Sequence, residues 1–346
     1  MEIGIYTFAD IGTHPITKQT ISPHQRMLNL MEEIELADQL GLDVFAIGEH
    51  HRPDYLISSP AVVLGAAAVK TKNIKLSSAV TVLSSDDPVR VFQQFAEVDL
   101  LSGGRAEIMA GRGSFIESFP LFGYNLNDYN TLFSEKLEML LQLNKNTIVE
   151  WKGKLTQTIS KRGVYPRPFQ KELPIWIGVG GTPESVVRTA EYGLPMALAI
   201  IGGMPARFAP YVQLYRDAYT KAGHDTNKIQ LSINSHTYIA DDAQQARDEF
   251  YPPYTDVMTR IGKERGWQPG TRRDFDTSTE PQGALLVGSP QQVIDKILYE
   301  HELFGHTRFL AQMSLGAMPH DKILHAMELL GTKVAPEVKK HTAKSK

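Results

Sequence analysis

Short apolar runs alternate with amphipathic helical patterns along all 346 residues, with no break in composition, and this alternation constrains the fold more than any other feature. Glu2 to Phe8 (EIGIYTF) alternates as a strand. Ser22-Pro23-His24-Gln25 is a helix-start signal of the S-x-x-Q type. Met27, Leu30, Met31, Ile34, Ala37 and Leu40 then recur at helical spacing until Gly41 ends the helix. Further strands are expected over 43–48, 75–83, 105–110, 175–177, 195–201, 229–239 and 307–313, each followed by a helical pattern. Eight strand-helix pairs argue for a (β/α)8 TIM-like barrel, with a doubly wound open sheet as runner-up. Such a barrel needs ~250 residues, so roughly a hundred here belong to insertions. Two are visible: Ser114 to Asn130 after strand four, and Phe250 to Ala284 after strand seven. The expected organisation is one domain over residues 1–335, then a basic tail over 336–346 that is frayed from Lys339 onward.

Composition narrows the function classes. A hydrophobic content of 42% is enough for a sizeable core, and a net charge of -3 gives no reason to expect a nucleic-acid partner. The absence of cysteine excludes disulfides, thiolate metal sites and Cys nucleophiles. No apolar run approaches the ~18 residues of a membrane span, so the expectation is a soluble cytoplasmic protein.

In a (β/α)8 barrel the chemistry sits at the C-terminal ends of the strands. That rule selects PIWIGVGGTPES, Pro174 to Ser185, where a buried strand feeds a turn with Gly178, Gly180 and Gly181. Thr182 is a good N-cap and Pro183 suits the first helical position, so free backbone N–H groups and a positive dipole end face outward. This is an anion site, most usefully a phosphate site. It is not a dinucleotide fingerprint, because the third glycine would fall on Pro183. Gly111-Arg112-Gly113 ends the neighbouring strand four and brings a cation that grips phosphate with a bidentate fork. Glu49-His50-His51 ends strand two. Adjacent strand residues point to opposite sides, so the two histidines would not share a metal, and no metal site is expected. One of them can face the mouth as an acid/base or hydrogen-bonding group. His236 on strand seven faces either mouth or core, and Tyr6 and Phe8 either floor a ring-binding site or fill the barrel.

Several stretches then resemble one family. Ser58 to Gly123, IGEHH at Ile47 to His51, GVGGTPESV at Gly178 to Val186, and Ala199 to Tyr219 are similar to the bacterial luciferase-like, flavin-dependent monooxygenases. The resemblance implies a TIM-like barrel that binds FMN at its C-terminal face. Arg112, the Gly180-Gly181-Thr182 turn and Ser185 would hold the phosphate. Ala79, Val80 and Thr81 would lie under the ring system, where family members often carry a non-prolyl cis peptide. His50 matches the family's active-site histidine, and the helices within Ser58 to Leu101 match a common dimer surface. The implied reaction takes reduced FMN from a separate reductase and uses O2 to oxidise a small organic substrate. The competing readings are a deazaflavin- or NAD(P)H-linked reductase of the same superfamily, a flavin-binding protein without turnover, and a sugar-phosphate barrel enzyme. Phe250 to Ala284 is expected to form either a lid or a helical decoration.

Overall fold

The computed structural model describes residues 1–343. Eight strands close into a barrel: β1 (Glu2–Thr7), β2 (Val44–Ile47), β3 (Lys75–Ser78), β4 (Ala106–Gly111), β5 (Ile175–Val179), β6 (Met196–Ile200), β7 (Leu231–Ile239) and β8 (Arg308–Gln312). Each pairs in parallel with the next, and β8 pairs with β1, which closes the ring.

The pleat sorts each strand's residues into two sets. Tyr6, Val44, Ala46, Met109, Trp176, Ala197 and Leu310 pack together inside the barrel. Their neighbours Ile5, Phe45, Ile47, Ile108, Ile177, Leu198 and Phe309 point outward into the larger core beneath the helices. Those helices are α1 (Pro23–Gln39), α2 (Pro60–Lys70), α3 (Pro88–Ser102), α4 (Tyr129–Lys145), α5 (Pro183–Glu191), α6 (Ala209–Lys221), α7 (Ala243–Arg265), α8 (Arg272–Thr279), α9 (Pro290–Phe304), α10 (His320–Leu329) and α11 (Ala335–Thr342). Their starts follow local chemistry. The Ser22 hydroxyl accepts from Gln25 N, and Ser289 and Gln292 form a reciprocal capping box.

The N-terminal end of the barrel is plugged by charge. Arg308, 1% exposed, forks onto Glu107 at 2.8 and 3.1 Å and reaches Glu2 at 2.7 Å. Lys75 completes the cluster at 2.6 Å from Glu2, and the Arg308 guanidinium lies 4.2 Å from the Trp176 ring centre.

Four expectations need correction. The third strand is not continuous over 75–83: it breaks after Ser78 and resumes as Thr81–Val82, either side of a cis Ala79–Val80 peptide. A third insertion was missed, an antiparallel hairpin of Ile148–Lys152 and Thr158–Gly163. It is mostly exposed and so carries little hydrophobic alternation. The excursion after β7 does not begin at Phe250, which sits inside α7. Proline inside a helix costs a hydrogen bond, but burial of Phe250, Pro253 and Val257 carries α7 through Pro252 and Pro253. Finally, residues 339–342 are not frayed. They lie in α11, whose Val338 is buried and whose Lys339 pairs with Asp43 at 2.7 Å. Residues 344–346 of the expected tail lie outside the described residues.

Candidate functional site at the barrel mouth

The C-terminal ends of β4 and β5 meet as the strand order requires. Arg112 follows β4 and donates from Nη2 to Thr182 Oγ1 at 3.1 Å and from Nη1 to Asn130 Oδ1 at 2.6 Å. Its guanidinium stacks over Tyr129, 5.1 Å from the ring centre. Thr182 Oγ1 donates onward to Ser185 Oγ at 2.8 Å. Thr182 occupies the N-cap position of α5 but makes no side-chain cap bond, because its hydroxyl serves Arg112 and Ser185 instead. In the first turn of α5 Pro183 has no N–H and Ser185 N donates to the Thr182 carbonyl at 3.1 Å, so Glu184 N–H is the one left without a partner among the described residues. Gly181 sits at φ +96°, a backbone conformation that strains any L side chain, whereas a Cβ on Gly180 would meet open space. Every side-chain hydrogen-bond partner of Arg112 is neutral.

Beside this cradle the wall of the mouth is shaped by Val80. A Cβ on Gly111 would stand 2.6 Å from Val80 Cγ2, and one on Gly178 would stand 2.7 Å from Val80 Cγ1. The valine thus fills the space that two glycines on β4 and β5 leave open. Buried Ala79 and Thr81 flank half-buried Val80 in the step between the two parts of the third strand.

His50 and His51 point apart, as the strand geometry predicts. His51 Nε2 pairs with Glu49 Oε1 at 2.8 Å, and Glu49 Oε2 accepts from Val82 N at 2.9 Å, so this histidine is tied to the third strand. His50 instead enters a cage of rings: Phe8 at 4.5 Å, Tyr55 at 4.4 Å and Phe115 at 5.0 Å between centres. Burial, then the charges of Arg52 and His51, push its imidazole down to about 3. At neutral pH His50 is uncharged, so it can donate or accept a hydrogen bond but cannot serve as an imidazolium acid. His236 faces the interior with both ring nitrogens buried and unpartnered, and burial pushes it down to about 4.

A clasp lies over the cage. Arg52 bonds Glu117 at 2.6 Å and Glu264 Oε2 at 2.9 Å, and its guanidinium sits 4.5 Å from the centre of Phe115. Arg260 pairs with Asp54 at 3.3 Å, and Arg265 donates to the Ser114 carbonyl at 3.3 Å. The loop after β2, the insertion after β4 and the end of α7 are thereby joined across the mouth.

The arrangement brings together Arg112, Thr182, Ser185 and, on the adjoining wall, Ala79, Val80 and Thr81. His50 stands in its own ring cage nearer β1 and β2. Sequence reasoning missed Arg188, which donates to Ser185 Oγ at 3.4 Å. Its spacing three residues past Ser185 on one helix face was a usable signal. It also missed Asn130, Tyr55 and Phe115, which carry no local signature.

A parallel eight-stranded barrel with Arg112, Thr182 and Ser185 joined at the C-terminal end of β5 defines the class of chain this is. A family model described as luciferase-like monooxygenase matches residues 1–307, and the chain belongs to that family. It is 26% identical over 326 residues to the alkanal monooxygenase alpha chain of Aliivibrio fischeri, covering 87% of this chain and 90% of that one. The fold is shared with the oxygenating constituent of 3,6-diketocamphane monooxygenase from Pseudomonas putida, solved in complex with FMN (TM-score 0.76, 20% identity, 97% and 98% coverage). It is also shared with the coenzyme F420-dependent tetrahydromethanopterin reductase of Methanopyrus kandleri (TM-score 0.73, 22% identity, 98% and 99% coverage). Among the described residues no helix is long and apolar enough to cross a membrane.

Proposed function

We propose that this chain binds FMN at the barrel mouth and, with reduced FMN from a separate reductase and O2, oxidises a small organic substrate. One observation carries the reading: Arg112, Thr182 and Ser185 converge at the head of α5, and the partners of the arginine are all neutral. A buried or half-buried cation without a counter-charge is costly unless an anion completes it. Arg112, the Gly180-Gly181-Thr182 backbone and Ser185 would hold the phosphate, and Ala79, Val80 and Thr81 would support the ring system. Reduced flavin, when bound, supplies the electrons that activate O2. The chain's own part is to bind, orient and exclude water. Neutral His50 offers one hydrogen bond at the edge of the ring cage, and Tyr6 and Phe8 pack on that cage as its apolar floor. The clasp on Arg52 holds the end of α7 over it.

A homodimer through α2 and α3 is part of the same proposal, supported by the exposed Val62, Val69, Leu100 and Leu101 on those helices. The competing reading is a deazaflavin-linked reductase, favoured by the fold shared with the F420-dependent enzyme. Oxygen uptake with chemically reduced FMN, screened over aldehydes, ketones and thioethers, separates the two. Substrate-dependent uptake with product formation is expected. Tight deazaflavin binding without oxygen uptake would overturn the monooxygenase reading. A substrate found this way should be turned over at least tenfold more slowly by His50→Ala, and unchanged activity would remove the histidine from the site.

A further inference from the structure

The cradle at the head of α5 carries more positive charge than Arg112 alone. Helical side chains lean toward the N-terminus of their helix, so Arg188 swings back over the turn that precedes it. Its Nη2 donates to Ser185 Oγ at 3.4 Å and its Nη1 to Ser134 Oγ at 2.9 Å, and the guanidinium lies 5.2 Å from the Phe133 ring centre. The Ser134 bond and the Phe133 ring fix its direction from α4. Arg112 and Arg188 thus approach one hydroxyl pair, Thr182 and Ser185, from two elements, and all of their side-chain hydrogen-bond partners are neutral.

This placement is electrically unfavourable as it stands. Burial disfavours the Arg188 cation, and the charge of Arg112 disfavours it further. The other groups acting on Arg188 are Glu184 on α5, Tyr192 just after it and Tyr129 on α4, which favour the cation less strongly than burial opposes it. Tyr129 and Tyr192 are both held above the usual phenol range, so neither supplies an anion at neutral pH. Two cations facing two hydroxyls at a helix N-terminus need a ligand of charge near -2. A phosphomonoester carries -1.5 to -2 at pH 7, with a second pKa near 6, whereas a phosphodiester carries only -1.

We propose that Arg188 is the second cation of this subsite, and that with Arg112 it selects a terminal phosphomonoester dianion over a phosphodiester. The inference rests on the reading that a phosphate-bearing cofactor docks here, and it assigns that cofactor's phosphate class. Ser185 is the shared pivot: its hydroxyl receives from both Thr182 and Arg188, so a phosphate oxygen entering the cradle meets both guanidinium groups.

The test is equilibrium binding of FMN, the methyl ester of FMN (a diester) and riboflavin, followed by flavin fluorescence between pH 5 and 8. A charge-assisted hydrogen bond corresponds to a change of roughly 10- to 150-fold in affinity. The unmodified protein is expected to prefer FMN over its methyl ester by about tenfold or more at pH 8, with the preference shrinking toward pH 5. Arg188→Gln should weaken FMN by about tenfold, bring FMN and its ester within about threefold, and leave riboflavin unchanged. Arg188→Lys, which keeps the charge, should retain most of the pH dependence. An unchanged FMN-to-ester ratio in Arg188→Gln, or an equal loss for riboflavin, overturns the inference. If FMN binds the unmodified protein no better than riboflavin, the cofactor reading fails, and phenyl phosphate followed by 31P NMR becomes the probe. Binding of phenyl phosphate that Arg188→Gln abolishes upholds the second cation, and binding that the variant leaves intact, or none at all, overturns it.

Discussion

The two ends of this barrel use arginine in opposite ways. At the N-terminal end Arg308 is almost fully buried, and its guanidinium is matched by Glu107 and Glu2. At the C-terminal end Arg112 and Arg188 are spent on hydroxyls and an amide. Buried polar atoms near that end, including Thr81 Oγ1 and both nitrogens of His236, make no hydrogen bond of normal geometry among the described residues. On the proposed reading, the contrast separates a structural charge from a binding one within one chain. A structural charge arrives with its counter-charge, and a binding charge leaves room for one. In barrels of this kind the first end reads as stability and the second as chemistry.

The comparison breaks most visibly at the closed end. Arg308→Met leaves buried Glu107 with Lys75, 3.6 Å away, as its remaining counter-charge and should cost up to about 3–5 kcal/mol of unfolding free energy by urea titration. The double variant Arg308→Met/Glu107→Leu should recover most of that loss, because the uncompensated charge is gone. A loss for the single variant below about 1 kcal/mol would show that the plug is not fixed as described. At the open end the effects exchange places. Arg112→Gln should weaken FMN by about 10- to 100-fold while changing stability by no more than about 0.5 kcal/mol.

Gly178→Ala tests the wall between them. The added methyl would lie 2.7 Å from Val80 Cγ1, and the overpacking should cost about 1–3 kcal/mol and perturb flavin binding with it. Unchanged stability and binding would mean that Val80 moves aside freely.

A pH dependence tests the ring cage around His50. The His50 imidazole titrates at about 3 in the fold and near 6.5 in the unfolded chain. Between those values the unfolded chain binds more protons, so stability falls as pH drops through that window. His50→Gln should lose less stability than the unmodified protein between pH 6.5 and 4. Parallel losses in urea midpoint would place His50 in a wetter setting than the ring cage.

Much of the barrel was legible because each strand is a short apolar run followed by a helix with its own start signal, such as Ser22 or Ser289. Strand ends shifted by a residue or two, which does not disturb which side chains reach the mouth. The break after Ser78 was not legible, because its cause is tertiary: Val80 fits between glycines that lie about thirty and a hundred residues away in sequence. The excursion after β7 was placed too early for a similar reason, since Pro252 and Pro253 locally oppose a helix that packing sustains. At the site, Arg112, Thr182 and Ser185 emerged from a topological rule together with residue chemistry. Asn130, Ser134 and Phe115 did not, because helix α4 and the insertion after β4 bring them in through docking that no local pattern encodes. His50 was found as a residue, but its surroundings were not, and the three rings around it shift its chemistry from titrating to neutral.

The central claim is that the cradle at the head of α5 is a phosphate site, and the most direct measurement compares FMN with riboflavin on the unmodified protein and on Arg112→Gln. FMN binding at least tenfold tighter than riboflavin, with the difference abolished in the variant, is the predicted result. Equal affinities for the two flavins, or a variant that weakens both alike, would contradict it.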